Sequence, residues 1–302
     1  MSWSLHRWIW QLDAPLFIGV PPAGTLNRCR LYVPARAIWA AITADLARNG
    51  SNVFPKYAEL GKQLREQARF TYLFPAEHLG DRWLAWLPIF ERGKGLCWYR
   101  DDLLPTQKQG LSDRAFRSRL LDARPGTAID ATSGTAADGT LRETECISTF
   151  WRPEADGEAK PVGLIGYVFR RADDGIVDGV SKIDVLSLGG DTRYGLGRMR
   201  RVEWADASDV FGKQVSMDAN TPSIRSKTVL AHTLQHAGTP EILGAMELLA
   251  GWDLTSNAPD KLAPLHKMPL WTPGSGIHAE SNATPEWEIT EYGYWRYLGR
   301  AS

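Results

Sequence analysis

The stretch Leu188-Gly189-Gly190-Asp191-Thr192-Arg193-Tyr194-Gly195-Leu196-Gly197-Arg198-Met199-Arg200-Arg201 constrains this chain more than any other. Four glycines, one tyrosine and four arginines stand between an apolar, helix-like run (Ile183, Val185, Leu186, Leu188) and the strand-like Val202-Glu203-Trp204. Glycine admits positive φ and lets a ligand come close to the main chain. Successive free N–H groups in such a loop make a concave anion site, and arginine adds planar, bidentate phosphate recognition. The residue types point to a phosphate-bearing ligand. Its expected contacts are Gly189, Gly190, Thr192, Arg193, Tyr194, Gly195, Gly197, Arg198 and Arg200.

Nucleotide-hydrolysing loops do not fit. Gly190 to Gly195 has the GxxxxG spacing, but Leu196-Gly197 stands where Lys-Ser/Thr is required, so the phosphate-reaching lysine and the magnesium-holding hydroxyl are both missing. No GxGxxG opens a helix here either. The plain alternative is a connector that merely turns tightly; four arginines set against Asp191 alone count against it.

At 302 residues the chain can bury a sizeable core, in one large domain or two ordinary ones. Lys+Arg and Asp+Glu both number 35, so a basic site must be local, unlike the overall basicity usual in a free-standing nucleic-acid binder. That suits a subunit meeting its ligand inside a larger assembly. Cys29, Cys97 and Cys146 are isolated and read as reduced thiols. With no signal-like apolar segment near Met1 and no long uninterrupted apolar run, the sequence reads as soluble and cytoplasmic, without a membrane partner.

In chain order, Leu5–Leu12 reads as an opening strand, and Asp13 to Gly24 as a turn-laden segment. Arg36–Arg48 reads as a helix with Ile38, Trp39, Ile42 and Leu46 on one face, closed by Asn49-Gly50. Helical spacing returns over Tyr57–Arg69. Strands follow at Arg69–Pro75, Trp83–Phe90 and Leu96–Tyr99, the last two flanking Glu91–Gly95 as a hairpin. Ser112 is placed to cap a helix reaching Leu121. Gly126–Asp130 and Leu141–Phe150 bracket a small polar loop, as in an extended hairpin with a flexible tip. Val162–Arg170 reads as a strand and Val177–Leu188 as helical. Beyond Trp204, helices are expected from Pro222 to His236 and Pro240 to Leu254, with strands at Pro269–Ser275 and Trp287–Leu298.

Two further motifs combine with the glycine stretch. One is "PLFIG" (Pro15 to Gly19) followed by "LYVPAR" (Leu31 to Arg36) and a helix. The other is "AIDATSGTAADGTLRETE" (Ala128 to Glu145) ahead of "LGGDTRYGLGRMR". In that order they resemble the RAMP superfamily of CRISPR effector proteins, over about Leu5 to Trp204. Pro15, Leu16, Gly19, Tyr32 and Pro34 match; Ala35-Arg36 replaces the usual Gly-Ser. Ile129, Asp130, Thr132, Gly134, Ala136, Leu141 and Glu145 match the thumb hairpin of type III members, with Ala131 in place of its arginine.

The resemblance implies an α+β, ferredoxin-like (RRM-like) core over 1–204 with a hairpin insertion at about 124–150. A C-terminal extension over 205–302, helical then strand-like, follows. It implies CRISPR guide RNA as ligand, target RNA or DNA reached through the guide, and other effector subunits as partners. Arg28, Arg30 and Arg36 would flank the glycine stretch and join its phosphate groove; ordinary solvated charges are the alternative. Thr127, Ile129, Asp130, Thr132, Thr135, Leu141 and Arg142 would form a thumb that wedges against the guide–target duplex, or else an ordinary exposed loop.

Target-cleaving members use an aspartate in the loop after the first strand, and a hard divalent cation needs such carboxylate oxygen. Between Gly19 and Tyr32 there is none; Asn27 is the nearest in shape, and Asp13 precedes the loop. The expectation is a non-catalytic RNA-holding subunit, most like the type that caps the guide's 5′ handle, with no cofactor and no metal. One alternative is a metal-independent, guide-processing endoribonuclease using His6 or His78, since imidazole suits proton transfer near neutral pH. Another is a target-cleaving backbone subunit using Asp13. His232 and His236 are four apart, but no HExxH and no third ligand accompany them.

Overall fold

A computed structural model describes residues 3–50, 56–103, 110–153, 157–171, 175–234, 239–252, 262–264, 268–277 and 284–300. The opening strand β1 (Trp3–Leu12) is the axis of the molecule. Trp8, Ile9 and Trp10 are all fully buried. Consecutive strand residues face opposite sides, so this strand is covered on both faces.

After a short strand β2 (Leu26–Asn27) come helices α1 (Ala35–Gly50) and α2 (Tyr57–Gln67). Ile38 and Ile42 bury one face of α1, and the Trp39 indole N–H donates to the Gly61 carbonyl of α2 at 2.9 Å. Strands β3 (Ala68–Phe70), β4 (Phe74–Leu79), β5 (Arg82–Glu91), β6 (Gly95–Arg100) and β7 (Leu111–Ser112) follow. Helix α3 (Asp113–Leu120) is capped by Ser112, whose Oγ accepts from the Ala115 N–H. Strands β8 (Leu121–Gly126) and β9 (Arg142–Ile147) form a hairpin stem, and β10 (Val162–Arg171) returns to the sheet. Helix α4 (Gly175–Ser181), β11 (Val185–Ser187) and β12 (Arg198–Asp206) complete this part.

The result is a mixed α+β fold, mostly strands, with four helices among the described residues. The main sheet runs β11-β12-β1-β10-β4-β5-β6-β7, with β3 also paired to β10. Its inner four strands, β12-β1-β10-β4, are antiparallel throughout. Helices α1 and α2 lie in the crossover from β1 to β4, and α4 in that from β10 to β12. The Leu12 end of β1 meets Met199 of β12 and, through Gln11, Gly163 of β10.

The structure corrects three expectations. The run entering the glycine stretch is the strand β11, not a continuation of α4. The strand expected from Val202 begins at Arg198, so the loop proper ends at Gly197. After β13 (Asp209–Val210) and β14 (Lys213–Ser216), neither expected helix forms among the described residues: the first span opens with the strand β15 (Ser223–Arg225), and the second holds β16 (Ile242–Leu243), β17 (Met246–Glu247) and β18 (Ala250–Trp252). Spacing misled here because Ile242, Met246 and Leu249 satisfy a helical stripe on paper. In the fold Met246 and Leu248 are exposed while Leu249 is buried, a strand-like alternation. His236 lies outside the described residues.

The remaining strands are β19 (Leu262–Pro264), β20 (Leu270–Trp271), β21 (Gly276–Ile277), β22 (Pro285–Ile289) and β23 (Trp295–Arg300). They join a five-stranded sheet, β13-β14-β15-β22-β23, and two-stranded ladders β16-β21, β17-β20 and β18-β19. One buried apolar cluster contains Trp8, Phe74 and Phe169 together with Ile224, Trp287 and Trp295, so the extension shares the core of the main sheet.

Candidate nucleic-acid interface

The glycine stretch is built by backbone pairing with the segment after β1. Gly190 N–H donates to the Phe17 carbonyl and Gly197 N–H to the Pro15 carbonyl, both at 2.8 Å. The Arg198 carbonyl accepts from Asp13 and Ala14, and Leu188 N–H donates to the Gly197 carbonyl. Gly189 has φ +93° and Gly197 φ +78°; a Cβ would stand 2.5 Å from the Phe17 carbonyl oxygen and 1.9 Å from that of Leu188 respectively. Only glycine permits both the conformation and the approach. Gly189 therefore packs against the "PLFIG" segment and Gly197 against Leu188 of its own stretch, which spacing alone did not suggest.

The expected run of free N–H groups is correspondingly shorter. Tyr194 and Leu196 donate to the Asp191 carbonyl and Gly195 to that of Thr192. The N–H groups of Asp191, Thr192 and Arg193 have no acceptor among the described residues. Asp191 is left-handed (φ 55°, ψ 27°) and the turn Thr192–Tyr194 that follows is right-handed. That alternation turns successive N–H groups towards one side, the geometry of an anion nest.

The arginines divide by context. Arg193 and Arg198 are exposed and carry no ion pair among the described residues, and the same holds for Arg28 on the ribbon beside Gly19. Arg200 is ion-paired with Asp13. Arg201 is held by Asp184 at 2.7 Å and the Ser181 carbonyl. Arg30 and Arg36 lie elsewhere than with the exposed group. Arg30 is 8% exposed and bonds Glu247 Oε2 at 2.7 Å; the Arg36 guanidinium lies 5.9 Å from the Tyr292 ring centroid. The extension thus engages two of the three arginines placed around the loop by sequence.

The hairpin stem is antiparallel from Leu121↔Ile147 to Gly126↔Arg142, and β2 lies parallel to β9. Glu145 accepts from the Cys29 N–H at 2.9 Å, and Asn27 Nδ2 donates to Thr144 Oγ1 at 3.3 Å. The tip is internally braced. Asp130 Oδ1 accepts from the N–H groups of Ser133 (2.8 Å) and Thr132 (2.9 Å) and from Ser133 Oγ, which hold its carboxyl below the usual range. Thr135 carbonyl accepts from Asp130 N–H, and Thr127 shares a hydroxyl contact with Thr140. Ile129 and Leu141 are both more than 60% exposed. At the end of the stem next to the tip, Arg142 lies over the ring of Tyr194, 5.4 Å from its centroid, so hairpin and glycine loop meet.

His6 is stacked on Trp204, and its Nδ1 lies 2.9 Å from Asp206 Oδ1 as an ion pair. Burial, with the nearby Arg170 charge, pushes its pKa down from 6.5. It lies six positions from Leu12 along β1, roughly 20 Å from the loop end at about 3.3 Å per residue. His78 stands on β4 beside Trp83. Among the described residues no group of three or more His, Cys, Asp or Glu is placed to hold a metal ion, and no helix is long and apolar enough to cross a membrane.

A buried polar cluster went unread in the sequence. His232, fully buried, bonds Glu247 Oε1 through Nε2 (2.6 Å) and the Tyr72 hydroxyl through Nδ1 (2.7 Å). The Tyr32 hydroxyl donates to Glu247 Oε1 at 3.2 Å, and Arg30 pairs with its other oxygen. Burial raises the Glu247 pKa, but hydrogen bonding to His232 and the Arg30 charge outweigh it and hold the carboxyl below 4.5. Partners some 200 residues apart left no local pattern to find.

No protein-family model matches the sequence, and no curated protein does. The fold is similar to a chain of the type III-B Cmr-β complex, solved by cryo-EM bound to cognate target RNA and AMPPnP. That match has a TM-score of 0.54 at 11% identity and covers 89% of this chain and 84% of the other. A chain in the same complex bound to cognate target RNA matches with a TM-score of 0.41 at 11% identity, over 66% of this chain and 96% of that one. The first likeness is one of fold.

Proposed function

We propose that this protein is a guide-RNA-holding subunit of a type III-like CRISPR effector ribonucleoprotein, gripping RNA backbone beside other subunits. The strand order β12-β1-β10-β4, with a helical crossover on either side, supports reading its centre as the ferredoxin-like RAMP core. The fold likeness to a chain from a target-RNA-bound complex supports the choice of ligand. The observation that carries the proposal is the exposed turn Asp191–Tyr194. It combines three N–H groups that have no acceptor among the described residues with Arg193, Arg198 follows at the start of β12, and the hairpin stands directly beside it.

Holding is better supported than cutting. Asp13, the nearest acid after β1, is engaged by Arg200, and Asn27 is taken up by Thr144. His6 sits far along β1 from the phosphate turn. Recovering the tagged protein from its host and sequencing the RNA that accompanies it tests the reading: guide-derived RNA is expected, and its absence contradicts it. Site-specific cleavage of repeat RNA, lost on His6→Ala or His78→Ala, would favour the nuclease instead.

A further inference from the structure

Tyr194 is 68% exposed, although the turn that carries it is firmly fixed. Its own N–H bonds Asp191, the next two N–H groups bond backbone carbonyls, and neighbouring Leu196 is buried. A large ring in water gains by being covered. Here Arg142 lies over the ring, 5.4 Å from its centroid, and most of the residue's surface is still in contact with solvent. The N–H groups of Asp191, Thr192 and Arg193, which have no acceptor among the described residues, lie immediately before it in the chain. An aromatic face and an anion nest side by side match the two halves of one nucleotide.

We propose that Tyr194 is the stacking platform for one unpaired base of the bound RNA, with Arg142 backing the opposite face of the ring. The proposal rests on the reading that this loop holds RNA, and adds that the RNA is single-stranded at this point. A base inside a helix offers its edges, whereas an unpaired base offers a face to an aromatic ring. Every base has such a face, so this contact tolerates any sequence. Arg142 strengthens the stack through its charge and ties the platform to the hairpin stem.

The test uses the full chain, its Tyr194→Ala and Tyr194→Trp variants, and single-stranded RNA carrying 2-aminopurine at successive positions. Wild type and Tyr194→Trp should quench the probe at one position, and Tyr194→Ala should not. Affinity should fall between about fivefold and about a hundredfold in Tyr194→Ala, with the salt dependence unchanged because no phosphate contact is lost. Replacing the base at the quenched position by an abasic site should weaken wild type to the level of Tyr194→Ala on intact RNA. Equal affinity of wild type and Tyr194→Ala, with no quenched position, overturns the stacking role and leaves the phosphate role standing. Failure of the wild-type chain to bind RNA removes both. Unchanged melting of the variants shows that folding is not the cause.

Discussion

The Gly197 N–H donates to the Pro15 carbonyl at 2.8 Å, which joins the glycine stretch to the "PLFIG" segment as one structural unit. Gly190 and Phe17 repeat the contact a few residues away. The turn Asp191–Tyr194 is thereby suspended from the segment that follows β1 in the main sheet.

Gly197→Ala should destabilise the protein by roughly 3 kcal/mol or more, because positive-φ strain adds to a direct overlap with Leu188. Gly195→Ala, also at positive φ but with nothing within 4 Å of the added carbon, should cost only about 1–2 kcal/mol. Urea denaturation of both variants checks this. Equal costs would mean that the Leu188–Pro15 clamp yields easily.

Removing Glu247 strands the buried Arg30 cation and the ring of His232. Glu247→Ala should cost roughly 3 kcal/mol, at the low end for a broken buried pair since Glu247 is partly accessible. Glu247→Gln should cost less, as it keeps an acceptor. An Ala variant as stable as wild type would show that the cluster does not hold the extension to the core.

The same carboxyl sets an acid limit. Its folded pKa is below 4.5, so its contribution is complete above about pH 4.5 and is lost as pH falls through the folded value. His6 acts in the same direction from a higher starting point: with a folded pKa below 6.5, its contribution is complete above about 6.5 and declines as pH falls. Stability measured against pH should slope downward below 6.5 in wild type. Glu247→Gln should flatten the limb below 4.5 and leave the upper one. His6→Gln should do the converse.

Asp130 braces the hairpin tip without being buried. Asp130→Ala should speed amide hydrogen exchange at Thr132 and Ser133 while leaving the global melting temperature unchanged. Unaltered exchange would show that the tip is held by Thr127, Thr135 and Thr140 alone.

The main sheet was legible because its strands and helices carry strong local patterns: the apolar run of β10, the stripe of α1, the Ser112 cap. The glycine loop was legible as a feature but misread in detail, since glycines that pack against a carbonyl look the same in sequence as glycines that free an N–H. Arg30 and Arg36 could not be sorted from Arg28 by spacing, because their partners Glu247 and Tyr292 lie in the extension. The extension itself was misread where Ile242, Met246 and Leu249 fit two periodicities, and only the burial of Leu249 with exposure of Met246 decides between them.

RNA affinity measured against salt concentration tests the central claim most directly. Phosphate contacts release counterions, so each lost contact reduces the slope of log K on log salt by about one. Arg193→Ala and Arg198→Ala should each weaken binding whatever the RNA sequence and flatten the slope by that amount, while Arg201→Ala, whose guanidinium is held by Asp184, should leave it unchanged. A salt slope identical to wild type in both the Arg193 and Arg198 variants would contradict a phosphate-gripping role for this loop.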